Sequence, residues 1–152
     1  PPVKIDVIVF GLGRLGMVVA KTLQQKGLRG LGGDFDPEFV HRSAEHNIPT
    51  RYGDAEDPEF ISSLPLRDAK WVVGTLRSKE VNLSLLNTLQ ADDYQGRVAL
   101  AAANASARQA MLEAGADMVL VPYEDAGLEA ASRIMDYDNG QMDVQYQKHP
   151  AD

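Results

Sequence analysis

Cysteine is absent from this chain, and with it go disulfides and thiolate zinc sites, an absence that fits a reducing compartment. Histidine occurs three times, at His41, His46 and His149. His41 and His46 are five positions apart, off any single helical face, and no metal site is expected. Basic residues are in deficit, 15 Lys and Arg against 22 Asp and Glu, for a formal net charge of −7. No basic run occurs, which argues against nucleic acid as a partner, because phosphate backbones are held by clustered Lys and Arg. No stretch approaches the roughly 18 apolar residues of a membrane span, and no signal peptide precedes the first apolar run, so this piece is expected to be soluble. Also missing are a G-K-[ST] sequence for P-loop phosphoryl transfer and the context of a nucleophile elbow. No catalytic residue is expected.

What is present is enough for one core. With 152 residues, 44% of them hydrophobic, the chain suits a single domain and is too short for a nucleotide domain plus a substrate domain. It starts at Pro1-Pro2 rather than Met and enters a strand almost at once, as a piece of a longer polypeptide would. Apolar runs at 5–10, 28–33, 50–52, 71–74, 98–102 and 118–121 alternate with helical patterns. That alternation predicts an α/β, Rossmann-like doubly wound parallel sheet of about six strands with helices on both faces. The second run is rich in glycine, each glycine weakens a strand, and its register is left open.

Between the runs, one helical face is predicted to carry Leu15, Val18, Val19, Thr22 and Leu23, another Val81, Leu85 and Leu89, and a third Ala107, Ala110, Met111 and Ala114. Gly27 and Gly115 stand where glycines end helices. The tetrapeptide Asp-Pro-Glu-Phe occurs at 36–39 and again at 57–60, each copy offering a capping Asp, a Pro at the first helical position and a Glu that favours the dipole. A last helix with Leu128, Ala131, Ser132 and Met135 on one face ends a domain read as 3–135. Residues 136–152 read as a polar tail or linker.

Gly11-Leu12-Gly13-Arg14-Leu15-Gly16 follows the first apolar run, opens a helical pattern, and has Asp34 eighteen residues beyond its last glycine. This is the dinucleotide fingerprint in its required setting: a tight turn, a close approach of backbone to phosphate, and close helix packing, one glycine for each. Phosphate oxygens sit on the free N–H groups at such a helix start. Asp34, ending the second strand, can accept both ribose hydroxyls of an adenosine; its alternative is a turn or capping role. Its charge, reinforced by Asp36 and Glu38, repels a 2′-phosphate and disfavours NADP relative to NAD(H), AMP or ATP. Asp54 follows the third strand and either accepts from an adenine amino group or bonds its own backbone. Thr75, Leu76 and Arg77 end the fourth strand on the same edge, and Arg14 and Arg77 are candidate phosphate contacts unless they pair with carboxylates.

In their order, Gly11 to Gly16, Asp34-Phe35-Asp36-Pro37, Gly53-Asp54-Ala55-Glu56-Asp57, Asn82-Leu83 and the stretch from Glu113 to Val119 resemble the RCK (regulator of potassium conductance) or TrkA-N family. The resemblance covers about residues 5–135 and is strongest to the domains of bacterial Kef-type potassium efflux systems and cation/proton antiporters. It implies a regulatory domain, not an enzyme, that binds AMP, ADP, ATP or NAD(H), dimerises, and acts on a membrane-embedded potassium channel or cation/proton antiporter from the cytoplasmic side of the inner membrane. By position it implies phosphate at Gly11, Leu12, Gly13, Arg14, Leu15 and Gly16, ribose at Asp34, adenine at Asp54 and Ala55 with Phe35 flanking, and a phosphate side lined by Thr75, Leu76 and Arg77. The chain departs from many relatives in ending its fifth strand Ala101-Ala102-Ala103-Asn104, without an arginine.

Two other functions compete. One is the cofactor domain of an NAD-dependent oxidoreductase, for which no His or Lys has a suitable context. The other is an assembly module, with helix faces around 83–89 and 128–135 as the places to look for an interface.

Overall fold

The computed structural model describes residues 3–140. Six strands form one parallel sheet: β1 (Val7–Phe10), β2 (Gly30–Asp34), β3 (Thr50–Tyr52), β4 (Trp71–Gly74), β5 (Arg97–Ala101) and β6 (Met118–Leu120). Their order is β3-β2-β1-β4-β5-β6, with every neighbouring pair parallel. Strand order reverses direction between β1 and β4, so their carboxyl ends open a crevice there, where such sheets bind ligands. The helices are α1 (Arg14–Gln25), α2 (Pro37–Glu45), α3 (Pro58–Ser62), α4 (Lys79–Ala91), α5 (Ala105–Ala114) and α6 (Pro122–Asp138).

Alternation along β1 feeds two cores. Val7 and Val9 pack with Leu12, Met17, Ala20 and Ile48 on the side of α1 and α2. Ile8 and Phe10 pack with Ile61, Leu85, Leu89 and Met111 on the side of α3, α4 and α5. The sheet is therefore covered on both faces, which is why its central strands are continuously apolar.

The glycines of β2 have a spatial reason. A Cβ at Gly32 would lie 2.7 Å from a Leu12 methyl, and one at Gly33 would lie 3.2 Å from the Phe10 ring. Side chains from the adjacent strand and its loop occupy the volume that side chains of β2 would otherwise fill. β2 starts two residues later and ends one residue later than the apolar run suggests, and Asp34 is its last residue, opposite Tyr52 of β3.

Several expectations need correction. On α1 the buried residues are Gly16, Met17 and Ala20, while Val18 is 62% exposed. The cause is Gly16, where a Cβ would run into the carbonyl oxygen of Gly11; that close approach sets the helix's rotation. The face at 83–89 is core, since Leu85, Leu86 and Leu89 are buried. α6 runs three residues past Met135 and buries none of its residues, with Leu128, Ile134, Met135 and Tyr137 all exposed. Residues 141–152 of the expected tail, including His149, lie outside the described residues.

Other local expectations hold. Asp36 and Asp57 cap α2 and α3 by accepting from the N–H groups of Glu38 and Glu59. Gly115 ends α5 at φ +112° and Gly27 follows α1 at φ +94°.

Candidate functional site

Gly11 turns the chain out of β1 at φ +90°, a conformation that favours glycine. Its N–H donates to the Gly33 carbonyl over 2.9 Å. The Thr75 hydroxyl lies 2.7 Å from the Gly11 carbonyl oxygen and 3.0 Å from that of Phe10, so the end of β4 braces the loop from the opposite side. Leu12 is fully buried over Gly32, and its N–H donates to Asp34 Oδ2 over 2.7 Å. Loop and acid are thus built as one unit.

Gly13 is the N-cap of α1 and has no side chain with which to cap it. The first N–H groups of a helix lack partners within it. At α2, α3, α4 and α5 a side chain supplies one, from Asp36, Asp57, Ser78 and Asn104. At α1 none does, and its first turn holds no acidic residue. A Cβ at Gly13 would meet only the Phe39 ring, at 3.9 Å, so the space over these N–H groups is open. Arg14 beside them is exposed and has neither an ion pair nor a side-chain hydrogen bond among the described residues. Free N–H groups, the positive end of a helix dipole and a guanidinium without a partner among the described residues are the features that suit an anion.

Asp34 is 7% exposed. While Oδ2 takes the Leu12 N–H, Oδ1 takes that of Asp36 over 2.9 Å. Each oxygen retains acceptor capacity at the edge of the crevice. The Asp34 carbonyl accepts from the Gly53 N–H at 3.0 Å, which anchors the loop carrying Asp54 and Ala55 beside the acid. Asp54 is exposed and its Oδ1 accepts from the Glu56 N–H over 2.8 Å, the self-bonded loop arrangement; Ala55 is buried. Phe35, 59% exposed, stands next to Asp34 in sequence, and Tyr52, 64% exposed, is paired in register with it.

The three residues after β4 have separate places. Thr75 is the brace described above. Leu76 is half-buried against the core. Arg77 is exposed and lines a cavity of about 240 Å³ together with Lys79, Asn104 and residues that end β5. Two contributors were not visible as such in the sequence. Asn82 is fully buried, and its Nδ2 donates to the carbonyls of Leu76 and Ala101, 2.9 Å each, tying the β4 and β5 loops together. Lys79 opens α4, where the dipole disfavours a cation, and that mismatch was the available signal.

Among the described residues no group of three or more His, Asp or Glu could hold a metal ion, and no helix is long and apolar enough to cross a membrane.

Residues 7–122 match the TrkA-N domain family. The Ktr system potassium uptake protein A of Vibrio alginolyticus is 30% identical over 129 residues, 84% of this chain and 58% of the relative. The chain therefore spans little more than half of that protein. Among solved structures, the Shewanella denitrificans Kef CTD in AMP-bound form superposes with a TM-score of 0.71 at 20% identity, covering 82% of this chain and 75% of the other. The GsuK channel bound to NAD gives a TM-score of 0.69 at 15% identity, over 78% of this chain and 21% of the channel. At those identities the structural likeness is one of fold. The family match covers the sheet from β1 to β6 with the glycine loop and its acid inside it, and the chain belongs to the TrkA-N domain family.

Proposed function

We propose that this domain is a regulatory module that binds an adenine nucleotide, AMP, ATP or NAD(H), without transforming it, and controls a potassium channel or a cation/proton antiporter from the cytoplasmic side of the membrane. The observation that carries the nucleotide half is the open, uncapped start of α1 with Asp34 bonded to the same loop. The residues fit the ligand class. Gly13, the N–H groups of the first turn of α1 and Arg14 hold phosphate. Asp34 accepts from the ribose hydroxyls and repels a 2′-phosphate, so NADP is disfavoured. Phe35, Asp54 and Ala55 border the adenine.

The transporter half is supported by kinship with potassium uptake and efflux proteins. Coupling needs a nucleotide to bind one conformation better than another, typically by about 1 to 3 kcal/mol. Dimerisation belongs to the same reading: α6 presents Leu128, Ile134, Met135 and Tyr137 to solvent, and a second copy would cover them.

The test is potassium flux through the full-length protein or its complex in vesicles, with and without AMP, ATP and NADH. The reading predicts that flux changes with one of these nucleotides and that Asp34→Asn abolishes the response. A flux indifferent to all of them, or hydride transfer catalysed by the chain, contradicts it.

A further inference from the structure

Outside α6, the exposed Phe, Tyr or Trp side chains among the described residues are Phe35 and Tyr52, and both adjoin Asp34. Phe35 follows it in the chain. Tyr52 is its partner in register between β2 and β3, and neighbouring strands lie about 4.8 Å apart. Paired residues of adjacent strands share a face of the sheet, and Gly32 with its partner Thr50 marks which face this is. A Cβ at Gly32 would lie 2.7 Å from a Leu12 methyl and 3.0 Å from Thr50 Oγ1. Two residues further along each strand, Asp34 and Tyr52 stand on that face again, and Asp34 accordingly reaches the Leu12 N–H.

The fold makes no use of either ring. Neither belongs to either core, neither has an aromatic or cationic partner among the described residues, and the Tyr52 hydroxyl has no hydrogen bond there. The backbone that carries Tyr52 is nevertheless held in place. The Gly53 N–H donates to the Asp34 carbonyl over 3.0 Å, and a Cβ at Gly53 would collide with the Phe60 ring. An uncommitted ring therefore stands on a fixed strand end beside the acid.

We propose that Tyr52 stacks on the base of a nucleotide whose ribose is held at Asp34, a role that rests on the nucleotide reading above. In a nucleoside the base is bonded to the ribose carbon next to the one bearing the 2′-hydroxyl. A ribose hydrogen-bonded to Asp34 therefore brings its base close to that acid, where Tyr52 offers a flat apolar face and Phe35 a second one. Stacking uses the face of the ring and not its hydroxyl, so a phenylalanine at this position keeps the role. Tyr52 grips the base as Asp34 grips the ribose and the start of α1 the phosphate.

The experiment is NMR titration of this chain, Tyr52→Leu and Tyr52→Phe with AMP, with NAD and with ribose 5-phosphate, which has the sugar and phosphate of AMP but no base. On the parent chain the adenine ring protons are expected to shift upfield and to show nuclear Overhauser contacts to the Tyr52 ring. Tyr52→Leu weakens the nucleotide by about tenfold and loses the contacts, while Tyr52→Phe keeps the affinity. Binding of ribose 5-phosphate is the same in all three, and so is thermal unfolding, because the ring is exposed. A nucleotide bound without contacts to Tyr52, one bound equally by Tyr52→Leu, or a loss shared by ribose 5-phosphate overturns the proposal and leaves the nucleotide reading standing. A parent chain that binds neither AMP nor NAD overturns both.

Discussion

The backbone N–H of Leu12 donates to Asp34 Oδ2 over 2.7 Å, joining residues 22 positions apart in a buried contact. The acid read as a ribose acceptor is therefore also a structural part of the glycine loop. Replacing Asp34 with Ala leaves the Leu12 N–H buried without a partner, at a cost of about 1 to 3 kcal/mol. Urea unfolding of Asp34→Ala checks this, with a fall in midpoint expected. Asp34→Asn, which keeps one carbonyl acceptor, falls less.

The glycines of the loop separate into structural and ligand-facing positions. Gly16→Ala puts a methyl into the Gly11 carbonyl, and overpacking against backbone costs about 1 to 3 kcal/mol or more. Gly13→Ala meets only a ring edge at 3.9 Å and leaves stability nearly unchanged. Its methyl does enter the space over the α1 N–H groups, so nucleotide affinity drops at least tenfold. Thermal unfolding and calorimetric titration of the two variants show opposite rankings.

Thr75→Val removes the hydroxyl that reaches the Phe10 and Gly11 carbonyls and keeps the side-chain volume. The expected loss of stability is about 1 kcal/mol. Nucleotide affinity falls by several-fold through the loosened loop. Amide hydrogen exchange reads this directly, with faster exchange expected at Gly11 and Leu12.

Tyr94 supplies a pH marker far from the site. Its hydroxyl donates to the Ala69 carbonyl over 2.7 Å, and burial, with the negative charge of Asp117 adding to it, pushes its pKa up to about 12. The folded state holds this proton more tightly than the unfolded chain, whose tyrosine titrates near 10. The contribution to stability is therefore whole below pH 10 and is lost as pH rises from 10 toward 12. Ultraviolet titration of the phenolates should show one late-ionising tyrosine, absent in Tyr94→Phe.

The parts of this architecture legible in the sequence are those set by local chemistry. Gly11 to Gly16 with Asp34, the two capping aspartates and the apolar runs of β1 and β4 each follow from residues near one another in the chain. The illegible parts depend on contacts across it. The glycines of β2 make sense only once Leu12 and Phe10 lie over them, and the rotation of α1, with Val18 outward, follows from the approach of Gly16 to Gly11. Arg77 reads as a phosphate ligand by its place after β4, and only the fold shows that it shares a cavity with Asn104 from the far end of β5. The apolar period of α6 is real in sequence, but period alone does not tell whether a face packs on its own domain.

If the open start of α1 and Asp34 form one nucleotide site, this chain binds a nucleotide on its own. Calorimetric titration of AMP, ATP, NAD, NADH and NADPH into this chain, paired with thermal unfolding at saturating ligand, tests it most directly. A ligand at 100 times its Kd adds about 2.7 kcal/mol of stability. Binding and stabilisation are expected from at least one nucleotide lacking a 2′-phosphate, with weaker binding of NADPH and a tenfold or greater loss in folded Asp34→Asn. Failure of every one of these nucleotides to bind, or equal binding by the parent chain and Asp34→Asn, would contradict it.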